Sequence, residues 1–284
     1  MQTIFYPPAQ AEALLRPLLI RDRAETHLML LGLQAALDGG GGNVLLAAVV
    51  EDSGAVPLIA VHNPRYSLQL YAAAPRFNDA AEECLAQALL RAGRQFDRVA
   101  GRPELARRFC ERLRVLSGRR FRRDMRMVLY TLDGPPARTR LCPPGQLRPA
   151  SEADLPLLAY WAADFPLACG TGSYDLTAGT AAAKQMIERG QAVVWATAEG
   201  PVSMAASQSR LEDCAFVNHV YTPPFLRRHG YAGACVAALA RQLQAEGCAT
   251  VALYADKTNP HSNSVYHRVG FVPLCESENW AENL

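Results

Sequence analysis

Thirteen residues near the middle of the chain, Asp133-Gly-Pro-Pro-Ala-Arg-Thr-Arg-Leu-Cys-Pro-Pro-Gly145, hold four prolines and two glycines. Proline brings no amide hydrogen and cannot sit inside a helix or a central strand, so no regular element passes through this stretch. A 284-residue chain is thereby divided into about 1–132 and 145–284, joined by a linker at 133–144. Each half has the length of one ordinary domain. Half of the residues are hydrophobic, enough for a core in each half, and the net charge of +2 gives no general pull toward nucleic acid or a membrane surface.

The opening MQTIFYPPAQAEALL has no basic segment leading into an apolar core, so no secretory signal is expected. No apolar run approaches the roughly 18 residues of a membrane helix. The expectation is a soluble, cytoplasmic protein without a membrane partner. Eight cysteines (84, 110, 142, 169, 214, 235, 248 and 275) form no CxxC pair and are spread over segments that read as helices and strands. They are read as reduced, small apolar residues, and no metal site is expected.

The second half reads as β-α-α-β-β-β-α-β-α-β. A short strand at 146–149 precedes Ser151-Glu-Ala-Asp154, a capping box opening a helix to about 165. A second helix covers about 180–189. Strands at 192–198 and 202–209 form a hairpin around Glu199-Gly-Pro201, and a third strand follows at 215–221. Then come a helix at 231–246, a strand at 250–255, a helix at 262–269 and a strand at 271–274. The first half repeats the later part of this order: strands at about 44–50, 56–61 and 67–73, a helix at 79–92, a strand at 96–100, a helix at 103–116 and a strand at 125–132. The fold class is α/β, in two domains of related architecture.

Chemistry concentrates in Val220-Tyr-Thr-Pro-Pro-Phe-Leu-Arg-Arg-His-Gly-Tyr-Ala-Gly-Ala-Cys235. A strand ends at two prolines, a basic loop follows, and a helix starts near Gly230. Unpaired backbone amides at a helix start suit a pyrophosphate. Gly230 puts no side chain in the way, Ala232 and Gly233 keep the helix surface small, and Arg227, Arg228 and His229 add donors at the rim. Alone, the segment is also consistent with a tight turn and a solvated loop. It is neither a Walker loop nor a dinucleotide fingerprint.

Arg227-x-x-Gly230-x-Ala232 resembles the pyrophosphate loop of the GNAT superfamily of acyl-CoA N-acyltransferases. A second block, from Leu253 to Phe271, resembles the same family in its Asn259, Tyr266, Arg268, Gly270 and Phe271. The resemblance covers about 145–284 and implies an α+β mixed-sheet GNAT fold. It implies acetyl-CoA as cosubstrate and an amine acceptor as partner. Val220, Tyr221 and Thr222 would offer backbone groups to the pantetheine arm. Arg227 and Arg228 through Gly233, with His229, Gly230, Tyr231 and Ala232 between, would wrap the pyrophosphate. Asn259 would hold the cofactor arm, and Tyr266 would protonate the departing thiolate. A phenol at about 10 and a thiol at about 8.5 make that transfer chemically reasonable.

The general base stays open. His219 has the right titration range, with Glu212 and Asp213 at the start of the same strand as other carriers of a suitable group, while Asp164 and Tyr174 are candidates for contact with the acceptor. In the first half, Ala74-Pro-Arg-Phe-Asn78 stands where the second half has its basic loop. That half is read as a degenerate GNAT-like domain without cofactor, an unrelated α/β domain being the alternative. Ten arginines among the twenty-five residues 102–126 read as a solvated helix face, the alternative being a surface for an acidic substrate or nucleic acid. The functional expectation is an N-acetyltransferase acting on a primary amine by direct attack on the thioester. The alternatives are a non-catalytic acyl-CoA sensor and an arginine-surface binding protein.

Overall fold

The computed structural model describes residues 1–39, 43–73, 78–137 and 143–283. It divides into two compact units, Met1–Val128 with Cys275–Leu284, and Leu129–Leu274. This differs from the division at 133–144 expected from the sequence, and the strand order explains why.

In the second unit β7 (Gln146–Pro149), β8 (Ala192–Thr197), β9 (Gly200–Leu211) and β10 (Cys214–Tyr221) run antiparallel to their neighbours, and β11 (Thr250–Asp256) is parallel to β10. The strand beyond β11 is β6 (Phe121–Leu132), which ends the first half of the sequence. In the first unit β1 (Gln2–Phe5), β2 (Leu45–Val50), β3 (Leu58–His62) and β4 (Leu68–Tyr71) are antiparallel, and β5 (Arg98–Gly101) is parallel to β4. Here the strand beyond β5 is β12 (Val272–Glu282), from the far end of the chain. The last strand of each half therefore completes the sheet of the other unit. The sequence pattern showed a strand at 271–274 but not its continuation, which adds Trp280 to the first unit's core of Leu68, Leu85, Val99 and Phe109.

The helices of the second half match the expected order. Ser151 and Asp154 form the capping box, and Arg148 grips Asp154 through two bonds of 2.7 and 2.8 Å, holding that carboxyl down to about 2. Helix α6 (Leu155–Ala168) follows and continues through Pro166 rather than stopping at 165. Helix α7 (Leu176–Glu188) begins four residues earlier than expected, where Asp175 accepts from the Ala178 amide. Gly179 lets α7 press onto α6: a Cβ there would stand 2.5 Å from the Ala163 nitrogen. Helices α8 (Tyr231–Ala245) and α9 (Pro260–Val269) flank β11. The second unit's core gathers Leu158, Trp161, Met186, Val194, Met204 and Tyr221.

The first half also opens with helices that its sequence pattern did not reveal: α1 (Pro8–Leu14), α2 (Arg16–Leu19) and α3 (His27–Leu37). With α4 (Asp79–Arg91) and α5 (Pro103–Ser117), its order becomes that of the second half, strand, helices, three strands, helix, strand, helix, strand. The arginine cluster is largely neutralised by its neighbours. Arg107 pairs with Glu104, Arg108 with Asp79 and Glu82, Arg112 with Asp79 and Glu83, Arg114 with Glu111, and Arg119 with Glu282. Among the described residues no helix is long and apolar enough to cross a membrane. The seven described cysteines are free thiols, and Cys142 lies outside the described residues.

Candidate active site

The parallel pair at the centre of the second unit does not stay together. β10 and β11 are in register only at Cys214–Thr250, Ala215–Val251 and Phe216–Ala252, although β10 continues to Tyr221 and β11 to Asp256. The paired register thus ends at Phe216–Ala252, short of the end of either strand. A bulge accompanies the parting: from Asn218 to Tyr221 β10 takes three steps while β9 takes two, from Ala206 to Met204. His219 sits in that bulge with φ of +47°, a left-handed conformation uncommon for a side-chain-bearing residue.

The bulge turns His219 against Phe165 of α6, ring on ring at 4.8 Å. Its Nδ1 is 3.1 Å from Asn218 Oδ1, so Nδ1 carries the proton and Nε2 the lone pair. Burial holds the imidazole below its ordinary range, leaving it neutral at pH 7. Glu212 and Asp213, by contrast, occupy the β9–β10 turn. At about 3.3 Å per residue, the length of β10 separates them from His219 by roughly 20 Å, which removes them as bases for the same site.

Val220, Tyr221 and Thr222 form the exit of β10. The Tyr221 carbonyl already accepts from Ser203 Oγ at 3.0 Å, and the Thr222 carbonyl accepts from Arg227 Nε at 2.9 Å. Arg227 is thus folded back toward the strand, its guanidinium 5.9 Å from the Tyr221 ring. The Tyr221 hydroxyl donates to Asp164 at 2.5 Å, and that carboxylate together with burial pushes the phenol up. Asp164 is the one charged residue in α6, and a lone carboxylate in so apolar a helix is the sequence signal for this contact. Phe165 and the buried Ser203 carried no comparable signal. Tyr174 is exposed in the α6–α7 loop.

After a 3-10 turn at Pro224–Leu226 the backbone alternates in hand: Arg228 at φ +69°, His229 on the negative side, Gly230 at φ +86°. Successive residues of opposite hand turn their N–H groups into one concavity, a nest for anions. Gly230 is the N-cap of α8 and contributes no side-chain bond, nor is there an acidic residue in the first turn. The amides of Tyr231, Ala232 and Gly233 therefore have no intrahelical acceptor. Arg228 and His229 are exposed at the rim, and the His229 ring stacks on Tyr231 at 5.7 Å. At Gly233 a Cβ would meet Val265 and Val269 of α9 at ordinary contact distances of 3.8 and 4.0 Å.

Asn259 is the N-cap of α9, its Oδ1 accepting from the His261 and Ser262 amides at 3.1 Å each. Seven residues on, Tyr266 is 8% exposed, its ring 6.1 Å from those of Tyr130 and Phe271. Burial raises its phenol, and its hydroxyl has no hydrogen-bond partner among the described residues. No group of three or more His, Cys, Asp or Glu side chains is gathered as metal ligands among the described residues.

The sequence profile described as Acetyltransferase (GNAT) family matches residues 157–271. No curated protein matches the chain. Several solved structures share its fold. A Drosophila protein aligns over 99% of this chain and 98% of its own with a TM-score of 0.67 at 12% identity. A GCN5-related N-acetyltransferase from Sphaerobacter thermophilus aligns over 99% and 95%, with a TM-score of 0.61 at 19% identity. An acetyltransferase from the GNAT family of Colwellia psychrerythraea covers 87% and 88%, with a TM-score of 0.54 at 12% identity. At such identities the likeness is one of fold, and in the first two cases it extends over both halves of the chain.

Proposed function

We propose that this chain, whose residues 157–271 match the GNAT acetyltransferase profile, is an N-acetyltransferase that moves acetyl from acetyl-CoA to a primary amine. The observation that carries this reading is the coincidence of two features at the end of β10. The strand has left its parallel partner, and the helix after it starts with an uncapped amide nest. An unpaired strand edge binds an extended amide chain by strand addition, as the pantetheine arm requires. The nest at Arg228–Gly233 takes the pyrophosphate, with helix dipole and backbone amides acting together. The carbonyls of Tyr221 and Thr222 have internal donors, so Val220 is the part of that edge to which the arm would add.

The acceptor amine loses a proton to His219 Nε2, directly or through water, and attacks the thioester carbonyl. The C–N bond forms, the C–S bond breaks, the thiolate takes the Tyr266 proton, and the second proton shed by the new amide nitrogen restores the Tyr266 phenol, directly or through water. Burial raises the phenol, and a thiolate released against the same apolar walls is raised as well, so the uphill gap stays of the order of the ordinary one, about 10 against about 8.5. Asn259 spends its oxygen on capping α9 and keeps its amide nitrogen for the cofactor arm.

Release of free thiol from acetyl-CoA, measured across small amines, polyamines, amino acids and peptides, tests the reading. Amine-dependent release with one acetylated product supports it. Tight binding of acetyl-CoA without release for any amine would make the chain a sensor, and no binding at all would remove the nest.

A further inference from the structure

The Tyr266 phenol is raised by burial and by Cys169 and makes no hydrogen bond among the described residues, so its position depends on whatever holds α9. One buried phenol does so at two points. Tyr130, on β6 and 3% exposed, belongs to the second unit although the sequence places it at the end of the first half. Its hydroxyl stands 3.2 Å from Asn263 Oδ1 and 3.3 Å from His267 Nε2, and its ring meets the His267 ring edge-on at 5.2 Å. Asn263 and His267 are one turn apart on α9, and Tyr266 lies between them in sequence. Asn263 in turn donates through Nδ2 to the carbonyls of Asp256 and Lys257 at 3.0 and 3.4 Å. The chain Tyr130–Asn263–Asp256 thereby fixes the β11–α9 junction that carries Asn259. A phenylalanine would fill the same space, so what the hydroxyl adds is this connection.

We propose that Tyr130 is a positioning residue for the Tyr266 general acid, acting through Asn263 and His267. The role rests on the acetyltransferase reading above. Removing the hydroxyl leaves the ring packing and lets α9 shift, and an acid displaced by a fraction of an ångström loses its line to the sulfur.

Tyr130→Phe tests it in the full-length chain. In the variant kcat should fall roughly ten- to hundredfold while the affinity for coenzyme A stays within about twofold. The decisive measurement is the combination with Tyr266→Phe. A residue that acts only by placing the acid adds no further loss once the acid is gone. Losses that multiply in the double variant would overturn the proposal, as would wild-type kcat in Tyr130→Phe with only a lowered Tm. Should that variant fail to fold, Asn263→Ala cuts the same connection from α9 and carries the same expectations. An unaltered chain without turnover would take away the reaction and this role with it. Turnover that is lost in Tyr266→Phe but intact in Tyr130→Phe would remove this role alone.

Discussion

Two junctions in this molecule have the same place in the element order and opposite properties. Each leads from the fourth strand of its half into the following helix. In the first half α4 is capped by Asn78, whose Oδ1 accepts from the Ala80 and Ala81 amides at 3.1 and 3.2 Å, and Asp79 and Glu82 stand in its first turn. In the second half α8 has Gly230 as a cap without side chain, no acidic residue in its first turn and two arginines before it. The parallel strands differ in the same sense. β4 and β5 pair at Leu68–Val99 and Gln69–Ala100 and are still close at the last residue of β5, where a Cβ on Gly101 would meet the Leu70 carbonyl oxygen at 3.0 Å, whereas the β10–β11 register ends at Phe216–Ala252, well short of Tyr221 and Asp256. Other features are shared. The tyrosine ending β4, Tyr71, donates to Asp22 just as Tyr221 at the end of β10 donates to Asp164. Under the proposed function one architecture would yield an anion site or a closed junction according to whether its helix amides are already satisfied. The loop expected to explain the difference, Ala74 to Phe77, lies outside the described residues, and the case stands on Asn78 and the acidic first turn instead.

The sharpest way to break the comparison is to count sites. Calorimetric titration of the intact chain with coenzyme A should give one site per chain, and a value near two would show that the first junction also binds. The intact chain is needed because the first unit includes β12. Next in size is Gly230→Glu. A carboxylate about 4 Å from a phosphate charge at a partly screened site costs about 4 kcal/mol, roughly a thousandfold in affinity. Because any side chain at φ +86° is also strained, Gly230→Ala is the reference, and the two variants should differ by most of that factor. Equal affinities would mean that the phosphates lie elsewhere.

Tyr266→Phe addresses chemistry rather than binding. Without the phenolic proton kcat should fall by roughly 10- to 1,000-fold, about 1.4 to 4 kcal/mol, at little change in coenzyme A affinity. Unchanged turnover would leave Tyr266 as packing between Tyr130 and Phe271. His219 gives a gentler signal in pH. Burial depresses its pKa, so the neutral, proton-accepting form persists below the usual imidazole range and is lost only as pH falls further. The acidic limb of kcat/KM should therefore lie below pH 6.5, the unperturbed imidazole value, and vanish in His219→Asn. A limb that survives the substitution belongs to another base. Smallest of all is Asn78→Ala, which removes the cap from α4 and should cost about 1 kcal/mol of stability by denaturant titration. Coenzyme A stoichiometry should stay at one, since Asp79 and Glu82 still repel an anion there. A second site appearing in this variant would show that the cap alone closes the first junction.

What was legible in the sequence was local. The capping box at Ser151, the glycine stops of the helices and the alternating strands are short-range patterns, and they gave the order of the second half, with α7 starting four residues earlier and β12 running eight residues past the expected end. The spacing of Asn259 and Tyr266 is likewise a local property, because seven residues, two helical turns, bring both to the same face of α9. Asn259 shows the limit of such reading, since the same asparagine serves as the helix cap, which its sequence neighbours predict equally well. The helices of the first 37 residues escaped because α1 and α2 are short, broken at Leu15 with Pro17 just beyond, and α3 is apolar around most of its circumference. A helix of that kind shows no period.

The sequence by itself determined the element types, the basic loop before α8 and the tyrosine on α9. Tertiary structure decided the rest: the exchange of β6 and β12, which puts Tyr130 beside α9 and Trp280 in the first core, the parting of β10 from β11, and the turning of Arg227 back onto the Thr222 carbonyl. The physical reason is one of range. Helix caps and side-chain periods are set by residues within a turn of one another, but strand order is set by which apolar faces and unpaired edges can be satisfied at once. Those partners lie more than a hundred residues apart along this chain.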